Sequence, residues 1–178
     1  MSRNYPIIER GSGVFLYDEQ GNEYLDAAGG IGVVNIGHGV KEIAEVAKKQ
    51  METLAFAFSG AVASRPTMEL AEKLAAMAPP GMGEVKVFFS SGGSEANEAA
   101  LKLARTYYLA KGIHSKYRFV SRWQGYHGNT MGTLSITGRT RWREPYLPLL
   151  LNFPHIYPPI CYHCPFDSEY PRCDVKCA

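Results

Sequence analysis

At 178 residues the chain is long enough for one domain with a real core, and 46% hydrophobic against 20% charged residues is the balance of a globular protein. Lys and Arg number 19 against 17 Asp and Glu, and a net charge of +2 gives no electrostatic case for nucleic acid or an anionic membrane. No apolar run approaches the roughly 18–20 residues of a membrane span, and Met1-Ser2-Arg3-Asn4-Tyr5-Pro6 lacks the apolar core of a secretory signal, so a cytoplasmic protein is expected.

Residues 13–18 and 23–26 are two β-prone runs around Glu19-Gln20-Gly21-Asn22, a pattern that predicts a hairpin. Gly29, Gly30, Gly32, Gly37 and Gly39 follow closely, marking backbone that turns sharply or approaches something at short range. The stripe Ile43, Val46, Ala47, Met51 and Leu54 predicts a helix. A second helix is expected to start between Ser64 and Thr67, with Pro66 in its first turn, and to stop at Pro79-Pro80-Gly81. Residues 85–89 then read as a compact apolar strand, 90–94 as a turn, and a long helix follows with Ala96, Ala100, Leu103, Ala104 and Tyr107 on one face. Residues 118–121 read as a second strand, which makes a βαβ unit and a parallel sheet. No internal repeat or low-complexity tract is present.

Ser90-Ser91-Gly92-Gly93-Ser94-Glu95 sits between the expected strand and helix. Free N–H groups at a helix start, with the positive end of the dipole, make an anion site, and Ser94 can add a hydroxyl or cap the helix. A small-residue turn of the kind any α/β protein needs explains the same residues. Gln124-Gly125-Tyr126-His127-Gly128-Asn129-Thr130 follows the second expected strand, where open α/β sheets place their ligands. Tyr126 and His127 read there either as ligand-facing groups or as a packed ring and a hydrogen-bonded loop histidine. His38, just ahead of a helix, reads as a cap or a solvated side chain as readily as a catalytic one.

All four cysteines fall in the last 18 residues, so they form no fold-wide framework. Cys161 and Cys164, then Cys173 and Cys177, give CxxC, eight residues, and CxxxC, with His163 alongside. Four thiolates can hold zinc or an iron–sulfur cluster. Pro165 and Pro171 fit a rigid surface loop of reduced thiols, which is the preferred reading, with no metal expected; a disulfide is the third possibility.

Three segments taken in order resemble those of class III (ω-aminotransferase-like) pyridoxal-phosphate-dependent aminotransferases. They are Tyr24-Leu25-Asp26-Ala27-Ala28-Gly29-Gly30-Ile31-Gly32-Val33 running on to Gly37-His38, the stretch 91–105 that begins Ser91-Gly92-Gly93-Ser94-Glu95-Ala96-Asn97-Glu98, and the Tyr126-His127-Gly128 loop. The resemblance spans about residues 13–140. It implies an α/β fold of fold-type I: a parallel-sheet large domain starting at residue 61 and incomplete here, with residues 1–60 (hairpin, glycine-rich loop, helix) belonging to a smaller domain. It also implies that the backbone at Gly93 and Ser94 holds the phosphate of pyridoxal 5'-phosphate, with Gly92 making the turn. Tyr126 then stacks on the pyridine ring, a good partner for a flat electron-poor heterocycle. His127 matches the family's neighbouring histidine, and Ile31 an apolar substrate contact, with an ordinary core residue as the other reading.

The implied full-length enzyme is a homodimer that moves an amino group from an amino donor to a 2-oxo acid. Two departures qualify the resemblance. Where γ-aminobutyrate-type members carry an arginine, this chain has Asn129, which cannot grip a carboxylate with paired charged donors. The family's cofactor-bearing lysine, and the aspartate that pairs with the pyridine nitrogen, have no matching position. The chain therefore resembles an N-terminal fragment, expected to be inactive alone, and no catalytic residue is assigned. An aminomutase or racemase of the same fold, or a non-catalytic metal- or phosphate-binding module, are the alternatives.

Overall fold

The computed structural model describes residues 5–177, and the chain divides between Val85 and Lys86 into two units. The first opens with an antiparallel sheet in the order β1 (Ile8–Ser12), β2 (Phe15–Asp18), β3 (Glu23–Leu25). The expected hairpin is β2 and β3, registered Phe15↔Leu25, Leu16↔Tyr24 and Tyr17↔Glu23. Asp18 builds its turn. The carboxylate accepts the N–H groups of Gln20 (3.1 Å) and Asn22 (2.8 Å), the Asn22 side-chain amide (2.9 Å) and the Tyr24 hydroxyl (2.8 Å). These donors, the Asn22 side chain foremost, hold the Asp18 carboxyl below its ordinary range. Strand β1 adds an edge that the sequence does not announce, because Ile8-Glu9-Arg10-Gly11-Ser12 shows no alternation.

Next comes α1 (Gly29–Gly32), a single turn wound with the wrong hand for an L-peptide: φ is 54° at Gly29, 60° at Gly30, 63° at Ile31 and 80° at Gly32. Two amphipathic helices follow as expected, α2 (Lys41–Thr53) and α3 (Arg65–Ala76), the latter with Pro66 in its first turn.

The strand expected over 85–89 is absent. A strand exists only through its ladder, and no strand pairing involves these residues among those described. The segment leads instead into α4 (Gly93–Ala110), the expected long helix. The parallel sheet forms elsewhere: β4 (Ser121–Arg122) pairs with β5 (His155–Ile156), registered Ser121↔His155 and Arg122↔Ile156. Its crossover runs through α5 (Met131–Ile136), α6 (Thr140–Arg143) and a 3₁₀ turn (Glu144–Leu149) rather than through α4. The core of the second unit is α5 itself, with Thr133, Leu134, Ser135, Ile136 and Thr137 all buried. Its hydroxyls are satisfied locally, Ser135 donating to the Met131 carbonyl (2.6 Å) and Thr137 to the Gly128 carbonyl (3.1 Å). Among the described residues no helix is long and apolar enough to cross a membrane.

Candidate cofactor site

The first intrahelical bond of α4 runs from the Ala96 N–H to the Gly92 carbonyl (3.0 Å), so the N–H groups of Gly93, Ser94 and Glu95 have no partner within the helix. Gly92 is extended (φ −169°, ψ 170°), a conformation open to any residue. A methyl group placed on Gly92 or Gly93 would meet nothing within 4 Å. Neither glycine is required by backbone geometry or by packing in this unit. What they leave is open space over unpaired donors, and a phosphate fits that description.

Ser94 does not cap its helix. Its hydroxyl accepts the Asn129 N–H (3.0 Å), tying the start of α4 to the loop that carries Tyr126 and His127. Two further side chains of α4 hold the same region. Asn97 donates its amide to the His127 carbonyl (2.7 Å), and the Glu98 carboxylate accepts the Thr130 hydroxyl (2.6 Å) and the Thr133 N–H (3.2 Å). Ser94, Asn97 and Glu98 stand at i, i+3 and i+4, which places them on one helix face. Between them Gly128 (φ 135°) passes so close that a Cβ would lie 2.5 Å from the Thr133 hydroxyl and 2.6 Å from that of Ser94. The His127 N–H donates to the Thr137 hydroxyl (3.0 Å), so the main chain of His127 is fixed on both sides.

Tyr126 is half exposed, its ring perpendicular to that of Trp142 with centroids 5.4 Å apart. The second unit thus brings together Gly92, Gly93, Ser94, Tyr126 and His127. The roles of Asn97, Glu98 and Trp142 were missed from the sequence. The i, i+3, i+4 spacing of polar groups after Gly93 is the signal for the first two; nothing local marks Trp142.

Ile31 belongs to the other unit. It is 92% exposed in this chain, and it holds a left-handed conformation (φ 63°, ψ 42°) that is rare for a β-branched residue. Asp26 anchors this turn, accepting the Gly30 N–H (3.0 Å) and facing His38 Nε2 (2.9 Å). Those two contacts, His38 first, hold the Asp26 carboxyl below its ordinary range. His38 itself exchanges main-chain bonds with Gly13 (3.0 and 2.8 Å). It is neither a helix cap nor a solvated side chain, contrary to the bland readings of the sequence.

The four cysteines are free thiols, Cys161 exposed and Cys164, Cys173 and Cys177 partly so. Among the described residues no group of three or more His, Cys, Asp or Glu side chains is arranged to hold a metal ion. The four-thiolate site allowed by the spacing is not assembled here. The segment is fastened instead through Arg122, whose guanidinium donates to the carbonyls of Tyr157 (3.0 Å) and Cys177 (2.6 Å).

The family model described as aminotransferase class-III matches residues 1–176, and the chain belongs to that family. It is 43% identical over 163 residues to the uncharacterized aminotransferase YhxA of Bacillus subtilis, covering 92% of this chain and 35% of that protein. It is 40% identical over 139 residues to the putrescine–pyruvate aminotransferase of Pseudomonas aeruginosa, covering 78% of this chain and 30% of that one. Among solved structures, the omega transaminase of Pseudomonas jessenii in complex with PMP superposes with a TM-score of 0.86 at 37% identity, over 93% of this chain and 36% of that one. The chain thus spans about a third of the length of the relatives it matches.

Proposed function

We propose that the protein carrying this chain moves an amino group from an amino donor to a 2-oxo acid with pyridoxal 5'-phosphate as cofactor, and that it does so as a homodimer. The observation that carries this reading is the open, unpaired start of α4 joined through Ser94 to the Tyr126 loop. Gly93 and Ser94 offer backbone donors to the phosphate, and Gly92 keeps the approach clear. Tyr126 offers an aromatic face to the pyridine ring, and His127 holds the loop through its main chain. Ile31 serves as an apolar substrate contact, and residues 1–60 belong to the smaller domain. When bound, the cofactor acts as an electron sink for removal of the proton beside the amine. The contribution of this chain is to bind and orient; none of its residues is assigned the proton transfer.

The test uses the full-length protein. Titration with pyridoxamine phosphate, followed by fluorescence, should give an affinity that Tyr126→Ala weakens about threefold to tenfold, the range of an aromatic stacking contact. Mass spectrometry should detect transfer of the amino group to a 2-oxo acid. Unchanged affinity in the variant removes Tyr126 from the site, and a cofactor-loaded protein that transfers no amino group ends the reading.

A further inference from the structure

A cleft of about 530 Å³ in the second unit is distinct from the phosphate cup. It lies one step along the same loop, lined by Trp123, Gln124, Arg139, Thr140, Arg141 and Trp142. Three arginines fall within five residues here, Arg139, Arg141 and Arg143, against one acidic neighbour, Glu144. Among the described residues none of the three is paired with a carboxylate. Arg143 is 8% exposed with its Nε buried and unbonded, and its guanidinium stands 5.4 Å from the centre of the Trp123 ring. It is a fixed positive charge beside the cleft rather than a member of an ion pair. Arg139 lies 4.9 Å from the Trp142 ring, the same ring that meets Tyr126 at 5.4 Å, so one aromatic links the basic cleft to the residue proposed to face the cofactor.

The rim is built to stay in place. Gln124 has φ 67°, and it is held there by its N–H to the Gly138 carbonyl (3.0 Å) while the Gly138 N–H donates to Gly125 (2.8 Å). A Cβ on Gly138 would lie 2.2 Å from the Arg122 carbonyl oxygen, so only glycine lets the two segments close. This arrangement brings the residues after Gly138 against Trp123 and Gln124.

We infer that this cleft receives the carboxylate of an amino-acid or 2-oxo-acid substrate, with Arg139 and Arg141 as its donors. The inference rests on the aminotransferase reading above. It also answers the absence of an arginine at Asn129: the charge missing after the Tyr126-His127 pair is supplied ten and twelve residues further on. Guanidinium forks match a carboxylate with two parallel donors; Arg139, beside the Trp142 ring, and Arg141, in the cleft lining, have no carboxylate partner among the described residues.

The experiment measures glutarate binding by calorimetry to the cofactor-loaded, full-length protein. Arg139→Gln and Arg141→Gln should each weaken glutarate about tenfold, as expected for a charged hydrogen bond. Arg139→Lys, which keeps the charge and loses the fork, should recover part of that loss, and Arg118→Gln, away from the cleft, should bind as the parent does. In parallel, the ratio of kcat/KM for 4-aminobutanoate over that for 1-phenylethylamine should fall about tenfold in the two Gln variants. Circular dichroism confirms that the variants fold. No glutarate binding by the parent, or losses under about twofold in both Gln variants, overturns the cleft. The binding readout needs no turnover, so the two ideas fail separately. Loss of glutarate affinity in a protein that never transfers an amino group sinks the activity alone; active variants that bind glutarate as the parent does sink the cleft alone.

Discussion

A β-branched residue at φ 63° bears a steric penalty of about 1–2 kcal/mol, and Ile31, 92% exposed, recovers little of it by burial. Strain of this kind persists where the surroundings or a function over-determine the backbone. Ile31→Gly should therefore leave the protein as stable or raise its stability by up to about 1 kcal/mol, measured by thermal unfolding, while altering the relative rates for bulky and small amines. A clear loss of stability would contradict the strain argument. Asp26 makes the complementary case. Its folded pKa lies below the ordinary 3.8 because His38 and the Gly30 N–H favour the charged form. Its contribution is thus present above the unfolded value and is lost as pH falls through the folded one. Asp26→Asn should be less stable than the parent near neutrality, and the gap should close as pH drops below 3.8. A gap that persists unchanged into acid would mean that Asp26 acts through shape alone.

At the scale of elements, α4 and α5 form the frame of the proposed site, and Glu98 is the joint between them. Its carboxylate takes up the Thr133 N–H at the start of α5, a donor that the capping box also offers to the Thr130 hydroxyl, on a residue with no exposed surface. Glu98→Ala should cost about 1–3 kcal/mol in denaturant unfolding by removing the acceptor shared by the Thr130 hydroxyl and the Thr133 N–H. Glu98→Gln, which keeps an acceptor, should cost less; equal losses would show that charge rather than the hydrogen bond matters. Such joints are where reading the chain reached its limit. Helices α2, α3 and α4 were legible because a 3.6-residue stripe is a local signal, and the β2–β3 hairpin because Gly21-Asn22 announces a turn. The run 85–89 has strand composition, but composition cannot supply a partner. Helix α5 escaped notice because six residues rich in Thr, Ser and Ile are poor helix formers that only burial stabilises. Gly92, Gly93, Ser94 and Tyr126 stood out as motif residues. What Ser94, Asn97 and Glu98 do was hidden, since their partners lie 30–35 residues away.

The molecule as a whole exposes more apolar side chain than an isolated globular domain ordinarily does. Ile43, Val46 and Met51 on α2, Phe56 and Phe58 beyond it, and Leu103 on α4 are all more than half exposed. The chain spans 35% of the length of YhxA and 36% of that of the Pseudomonas jessenii transaminase, so the activity proposed is that of a protein of the family's full length. The share of that activity proposed for this chain is a place for the cofactor: donors at the start of α4, an aromatic ring on the adjoining loop, and a basic cleft beyond it. The most direct test is a crystal structure of the full-length protein grown with pyridoxamine phosphate. The predicted result is a phosphate within hydrogen-bonding distance of the Gly93 and Ser94 N–H groups, with the pyridine ring against Tyr126. A phosphate bound elsewhere, or a pyridine ring out of contact with Tyr126, would contradict it.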